Sequence, residues 1–268
     1  MSARIAVAAT APFGADVLER LAARHEITFL LTRRDAPAGR GRHLQSPPAK
    51  DVAERLGLAV VQPERLESGL DLGAEIVVAV AYGLLVPKDV LSERLWLNVH
   101  PSLLPRWRGA APVERALMAG DRETGVTIIE LVEELDAGPI AAQARLPIEP
   151  EDDAGAVYGK AAVIAVDLLD DVLRAPGSTL HPQVGEPTYA RKISAADRVL
   201  DPTRPAEELV DVVRALSPHI GARIELRGRM LTVWRARVGE GDTFEPMDVQ
   251  PDGGRRMSYD AWLRGLRP

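Results

Sequence analysis

An α/β fold, with a mostly parallel sheet flanked by helices and a small β-rich domain after it, is predicted by three features of the sequence. Residues 4–8 (Arg-Ile-Ala-Val-Ala) and 75–81 (Glu-Ile-Val-Val-Ala-Val-Ala) are near-continuous apolar runs, as expected of central parallel strands buried on both faces. Helical periodicity alternates with such runs; near 13–24, for example, Phe13, Val17, Leu18 and Leu21 share one face. Beyond residue 203 the pattern changes to one helix followed by arginine-rich, strand-like stretches. The expected division is a domain over 1–176, a linker over 177–203 and a small domain over 204–268.

Taken in order, 27–31 reads as a second strand. Residues 32–46 form a long polar insertion carrying Arg33, Arg34, Arg40 and Arg42. Insertions of that length in compact domains are functional or disordered, so the arginines are either phosphate contacts or a solvated loop. Pro47-Pro48 opens a helix to about Arg55, and a strand follows at 58–61. Tyr82-Gly83-Leu84-Leu85-Val86-Pro87 leaves the carboxyl end of the 75–81 strand. Open α/β sheets bind ligands at that place, where backbone groups can hydrogen-bond a flat heterocycle. A helix is expected at about 111–119, strands at 124–131 and 140–148, and a long amphipathic helix at 153–174. The Pro- and Gly-rich stretch after it holds the basic pair Arg191-Lys192. A helix at 205–216 and strands at 221–226 and 230–238 complete the small domain, with Trp234 beside Arg235 read as a half-buried strand rather than a stacking platform.

Composition narrows the function. The 268 residues include no cysteine, which removes disulfides, thiolate zinc sites and a thiol nucleophile. No apolar run approaches the roughly 20 residues of a membrane span, and the first residues lack the long apolar region of a signal peptide, so a cytoplasmic protein without membrane attachment is expected. Net charge is −6, yet residues 188–268 carry 14 basic against 12 acidic groups, a weak sign of a polyanion-facing tail. The first strand-to-helix loop lacks G-x-G-x-x-G and no phosphate-loop lysine motif occurs, which disfavours a nucleotide-cofactor enzyme.

The chemistry centres on 97–112, Leu-Asn-Val-His-Pro-Ser-Leu-Leu-Pro-Arg-Trp-Arg-Gly-Ala-Ala-Pro. Asn98 and His100 are two apart, so an extended backbone sends both side chains to one face, and Pro101 and Pro105 then turn the chain out of the sheet. An amide and an imidazole at a strand end are two donors aimed at one point, which oxyanion chemistry needs. An ordinary strand end with a buried, hydrogen-bonded histidine has the same pattern. The acidic turn Glu133-Glu134-Leu135-Asp136-Ala137-Gly138 can fold back beside the sheet's carboxyl edge, although a plain Asp turn reads alike.

These residues resemble the methionyl-tRNA formyltransferase family nearly end to end. The resemblance rests on Asn98-Val-His100, on the run from Ser102 to Pro112, on Gly120-Asp-Arg-Glu-Thr-Gly-Val-Thr127, on Leu135-Asp136-Ala-Gly138, and on Pro37-Ala-Gly-Arg40-Gly-Arg42 with Ser46-Pro47. It implies a Rossmann-like catalytic domain followed by an OB-like β-barrel that binds tRNA. It implies formyl transfer from 10-formyltetrahydrofolate to the α-amino group of methionyl initiator tRNA, with Asn98, His100 and Asp136 catalytic and no metal. By the same resemblance the folate is held by Leu84, Leu85, Val86, Ser102, Leu103, Leu104, Pro105, Glu133, Glu134 and Gly138. The tRNA contacts are Arg40, Arg42, Arg191 and Lys192, and the protein is expected to be a monomer. Two departures stand out: Ala9-Thr-Ala-Pro replaces the family's Gly-Thr-Pro, and the chain passes so quickly from Val238 to Val249 that the barrel is expected to be short. The competing readings are an N-formyltransferase for an amino sugar or other small amine, a hydrolase passing the formyl group to water, and a non-catalytic RNA-binding protein.

Overall fold

The computed structural model describes residues 2–38, 43–176 and 180–266. Arg40 and Arg42 lie outside the described residues. In chain order the elements are β1 (Arg4–Ala9), α1 (Pro12–Ala22), β2 (Glu26–Leu31), β3 (Ala36–Ala38), β4 (His43–Gln45), α2 (Pro48–Arg55), β5 (Ala59–Val61), β6 (Ile76–Val80), α3 (Lys88–Leu91) and β7 (Leu95–His100). There follow β8 (Arg108–Gly109), α4 (Pro112–Met118), β9 (Glu123–Glu130), β10 (Ile140–Pro147), α5 (Ala154–Arg174), β11 (Tyr189–Ala190), α6 (Ala206–Leu216), β12 (Ala222–Leu226), β13 (Arg229–Gly239), β14 (Thr243–Pro251), β15 (Met257–Ser258) and α7 (Tyr259–Arg264). They form two compact units: Met1–Arg108, Gly125–Leu146 and Gly159–Thr188 make the first, and Gly109–Thr124, Pro147–Tyr158 and Tyr189–Pro268 the second.

The first unit is built on a seven-stranded sheet of order β10-β9-β7-β6-β1-β2-β5. The pairs β5–β2, β2–β1, β1–β6 and β6–β7 are parallel, and β7–β9 is antiparallel. Ile5 to Ala9 of β1 are fully buried, as the apolar run required, and each large aliphatic side chain so buried contributes about 1.5–3 kcal/mol of transfer free energy. Three helices begin on a proline (Pro12, Pro48, Pro112), which gives up no hydrogen bond at a helix's first position. Within the insertion after β2, the described residues of β3 pair antiparallel with those of β4.

The order reverses at β1, with β2 on one side and β6 on the other, so their carboxyl ends form the crevice where such sheets bind ligands. The two ends are tied together, since Thr10 Oγ1 donates to the Tyr82 carbonyl at 2.7 Å. Gly14 lets α1 approach closely, for a Cβ there would lie 2.5 Å from the Val80 carbonyl oxygen. β7, beside β6, runs through Asn98 and His100 before Pro101 ends it.

The second unit holds an antiparallel sheet of order β12-β13-β14-β15, with α4, α6 and α7. Leu209, Val213, Leu216, Ile224, Leu231, Val233, Val249 and Trp262 form its core. The short barrel expected from the sequence is thus a four-stranded sheet, in which the 240–242 turn joins β13 directly to β14. Trp234 is a half-buried strand residue whose Nε1 donates to Gln250 Oε1 at 3.2 Å.

Within this unit Arg115 of α4 grips Asp197 in two bonds of 2.8 and 3.0 Å, and Ser194 adds its hydroxyl and N–H to the same carboxylate. The Arg115 guanidinium, joined by Ser194, holds the Asp197 carboxyl far below the ordinary carboxylate range. A carboxyl depressed on folding stabilises fully above its unfolded pKa, about 3.9, and loses that contribution as pH falls toward the folded value. Asp197→Asn is therefore expected to cost roughly 1–3 kcal/mol at pH 7. In thermal unfolding, the gap in Tm from the parent should narrow once the pH drops below about 4. A gap of equal size at pH 7 and pH 3 would contradict the ionic reading.

Candidate active site

Asn98 and His100 leave the same face of β7, where Asn98 is opposite Ala79 of β6 and His100 opposite Thr127 of β9. The imidazole is 4% exposed. Its Nε2 lies 2.8 Å from the Trp107 carbonyl, which only accepts, so Nε2 carries a hydrogen. Nδ1 faces Asp136 Oδ2 at 3.6 Å, too long for a hydrogen bond but well within ionic attraction. The Asn98 side chain is half-buried and makes no hydrogen bond to another described residue, so its amide hydrogens are available to a ligand.

The loop leaving β7 is fastened at several points. Fully buried Thr127 donates to the Ser102 carbonyl at 2.6 Å and accepts from Leu104 N–H and Gln143 Nε2 at 3.2 and 2.8 Å. Gln143 Nε2 also donates to the Leu104 carbonyl at 3.1 Å, and Ser102 Oγ donates to the Arg106 carbonyl at 2.7 Å. Trp107 has a left-handed φ of 64°, costly for a bulky residue, and it persists because its surroundings fix it. Its N–H donates to Thr188 Oγ1 at 2.9 Å, and the Arg106 guanidinium sits 4.5 Å from its ring centroid. The strained residue is the one whose carbonyl orients His100.

Asp136, buried, also has a left-handed φ, 49°. The carbonyls of Asp136 and Gly138 both accept from Gln183 Nε2, at 2.7 and 2.9 Å. Gln183 Oε1 in turn accepts from Arg108 Nε and Nη2 at 3.1 and 2.8 Å, while Arg108 Nη1 reaches Glu134 Oε1 at 3.1 Å. The neighbouring Glu133 pairs with Lys88 at 3.1 Å, linking the acidic turn to the exit of β6. Leu84 and Val86 on that exit pack against the core beside Leu131, whereas Leu85 is 83% exposed and Leu135 63% exposed. Burial pushes the Tyr82 phenol, at the base of the exit, up to about 12, so it stays neutral.

Asn98 and His100, two apart on one strand end, are thus joined by Asp136 from a turn more distant in the sequence of the first unit. Leu84 to Val86 and Ser102 to Pro105 follow the carboxyl ends of the parallel strands β6 and β7, whereas Glu133 to Gly138 lie in the turn between β9, antiparallel to β7, and β10. Arg191 and Lys192 are exposed in the second unit, their carbonyls held by Arg115 at 3.1 and 3.4 Å. Sequence reasoning missed the Trp107 carbonyl, Thr127, Gln143, Arg108 and Gln183. Of these Trp107, Arg108 and Thr127 stood in recognised motifs, though without a role, and Gln143 and Gln183 stood in none. Among the described residues no group of acidic or histidine side chains could hold a metal, and no helix is long and apolar enough to cross a membrane.

The formyl transferase family model covers residues 3–173, and the formyl transferase C-terminal domain model covers 192–246. The methionyl-tRNA formyltransferase of Halorhodospira halophila is 44% identical, over 100% of this chain and 97% of that one. Among solved structures, methionyl-tRNA formyltransferase from Clostridium thermocellum superposes with a TM-score of 0.67 at 18% identity, covering 93% of this chain and 98% of its own. HypX from Aquifex aeolicus in complex with tetrahydrofolic acid gives 0.68 at 17% identity, over 97% of this chain and 46% of that one. The two structures share the fold, and the close full-length relative goes further: this chain is a formyl-transferring enzyme of the methionyl-tRNA formyltransferase family.

Proposed function

We propose that the enzyme transfers the formyl group of 10-formyltetrahydrofolate to the α-amino group of methionyl initiator tRNA, with Asn98, His100 and Asp136 as its catalytic residues. The observation that carries this reading is the 3.6 Å approach of His100 Nδ1 to Asp136, on the strand face that also bears the uncommitted Asn98 amide. As the amine attacks the formyl carbon, negative charge develops on the formyl oxygen. The Asn98 amide donates to it, and so does His100 through Nδ1, since Nε2–H is engaged by the Trp107 carbonyl. Asp136, which faces Nδ1, orients the ring and takes up the amine's proton, directly or through water. Collapse of the tetrahedral adduct breaks the carbon–N10 bond, and the departing nitrogen receives the proton that Asp136 took from the amine. No covalent enzyme intermediate is required.

The folate fits the residues present. Exposed Leu85 and Leu135 are large apolar groups of a kind that marks binding surfaces, and the backbone of Leu84 to Val86 adds hydrogen-bonding edges for a flat pterin. Ser102, Leu103, Leu104, Pro105, Glu133, Glu134 and Gly138 complete this assignment, in which no metal takes part. HypX, of like fold, has been crystallised with tetrahydrofolic acid. For tRNA the candidates are Arg40, Arg42, Arg191 and Lys192, of which the last two are exposed cations. In this reading residues 1–176 carry the chemistry and 204–268 bind tRNA, in a monomeric cytoplasmic enzyme.

The test is transfer from 10-formyltetrahydrofolate to methionyl initiator tRNA, with methionyl elongator tRNA as control. Transfer to the initiator alone is the expected result. Failure with both tRNAs, with the folate still bound, would point to a small amine acceptor. Arg40→Ala is expected to raise the KM for tRNA about tenfold, the effect of losing one phosphate contact, with kcat little changed. Unchanged steady-state kinetics would remove the insertion from the tRNA contacts.

A further inference from the structure

We infer that Gln183 and Arg108 are positioning residues for the reaction, acting through the Asp136 turn; this rests on the catalytic role proposed for Asp136. Gln183 Nε2 holds the carbonyls of Asp136 and Gly138 at 2.7 and 2.9 Å, on either side of Ala137. Its Oε1 is fixed by two bonds from Arg108, a buried residue whose third contact is Glu134 of the same turn. The side chain must donate twice and accept twice at one spot. A primary amide of glutamine length meets that need, and a carboxylate cannot.

Two features make the clamp consequential for the reaction. Asp136 is left-handed at φ 49°, and a non-glycine residue keeps such a conformation only where its surroundings impose it. The distance it sets, 3.6 Å between Asp136 Oδ2 and His100 Nδ1, lies at the margin of hydrogen bonding, so a small displacement of the turn changes the interaction greatly. Gln183 belongs to the stretch whose composition marks only a linker. It is joined there by Thr188, whose Oγ1 accepts from Trp107 N–H at 2.9 Å and whose carbonyl accepts from Arg108 N–H at 2.8 Å. One strap, 183–188, therefore reaches both the residue that orients His100 and the turn that carries Asp136.

Gln183→Glu keeps size and the Arg108 contact but faces the two carbonyls with acceptors; Gln183→Met keeps length and removes all four bonds. Both are expected to lower kcat by about 100-fold, with KM for the formyl donor changed less than threefold. Combined with Asp136→Asn, either should cost less than a further threefold, because its effect passes through Asp136. Independently of turnover, the His100 ring resonances in a two-dimensional 15N–1H histidine spectrum should move in both variants in the direction seen for Asp136→Asn. Ring signals unchanged from wild type in a folded Gln183→Met or Gln183→Glu would overturn the inference. Wild-type protein inactive on every tRNA would instead refute the acceptor assignment, and the ring signals would still decide the role of Gln183.

Discussion

Replacing His100 by alanine is expected to lower kcat for formyl transfer by about 10³-fold while binding of the formyl donor stays within a few fold of the parent. The ring contributes an oriented donor and a partner for Asp136, and both matter when charge develops on the formyl oxygen. Interactions made only in the transition state depress kcat and kcat/KM together and leave ground-state binding alone. The substitution also strips the Trp107 carbonyl of its 2.8 Å partner, a stability cost of about 1–3 kcal/mol. Single-turnover transfer measured beside fluorescence titration of the donor separates the two effects. A folded variant retaining more than a tenth of parental turnover would remove His100 from the chemistry.

The second large effect is expected from one methyl group. A Cβ on Gly138 would sit 1.7 Å from the Glu130 carbonyl oxygen and 2.9 Å from its carbon, so backbone rather than a flexible side chain has to yield. Here the turn returns against the end of β9, with Glu130 N–H donating to the Pro139 carbonyl at 3.0 Å. Gly138→Ala is expected to cost about 3 kcal/mol or more in urea unfolding, the range reached when a special backbone approach is blocked. Because Gly138 is held by the same amide that holds Asp136, surviving folded protein should also lose most of its turnover. A midpoint within experimental error of the parent would show that the turn has slack.

How much of this was legible in the sequence follows from what each feature leaves in the residue pattern. The buried strands β1 and β6 were plain, because a strand covered on both faces must be apolar throughout. Asn98 and His100 could be placed on one face because side chains alternate along any strand, and β7 does continue through both. Their support could not be read so directly. His100 is oriented by the main chain of Trp107, and a carbonyl has no side-chain signature. Gln183 lies 47 residues from Asp136, in a stretch whose prolines and glycines announce irregular backbone without saying which carbonyls it serves. β14 contains Pro246 and ends at Pro251, a composition that argues against a strand, and its long pairing with β13 prevails.

The make-up of the second unit bears on how the protein is built and how it can be rebuilt. Helix α4, with Val113, Ala116 and Leu117 buried, belongs to this unit together with α6 and the carboxyl-terminal sheet, yet β9, β10 and α5 are synthesised in between. During synthesis its apolar face emerges long before α6 exists to cover it, an interval in which exposed hydrophobic surface invites chaperones or misassembly. A chimera made by exchanging only the carboxyl-terminal segment between relatives would pair a foreign α6 with the resident α4. Transplanting the unit intact requires moving α4 and the 147–158 segment along with it.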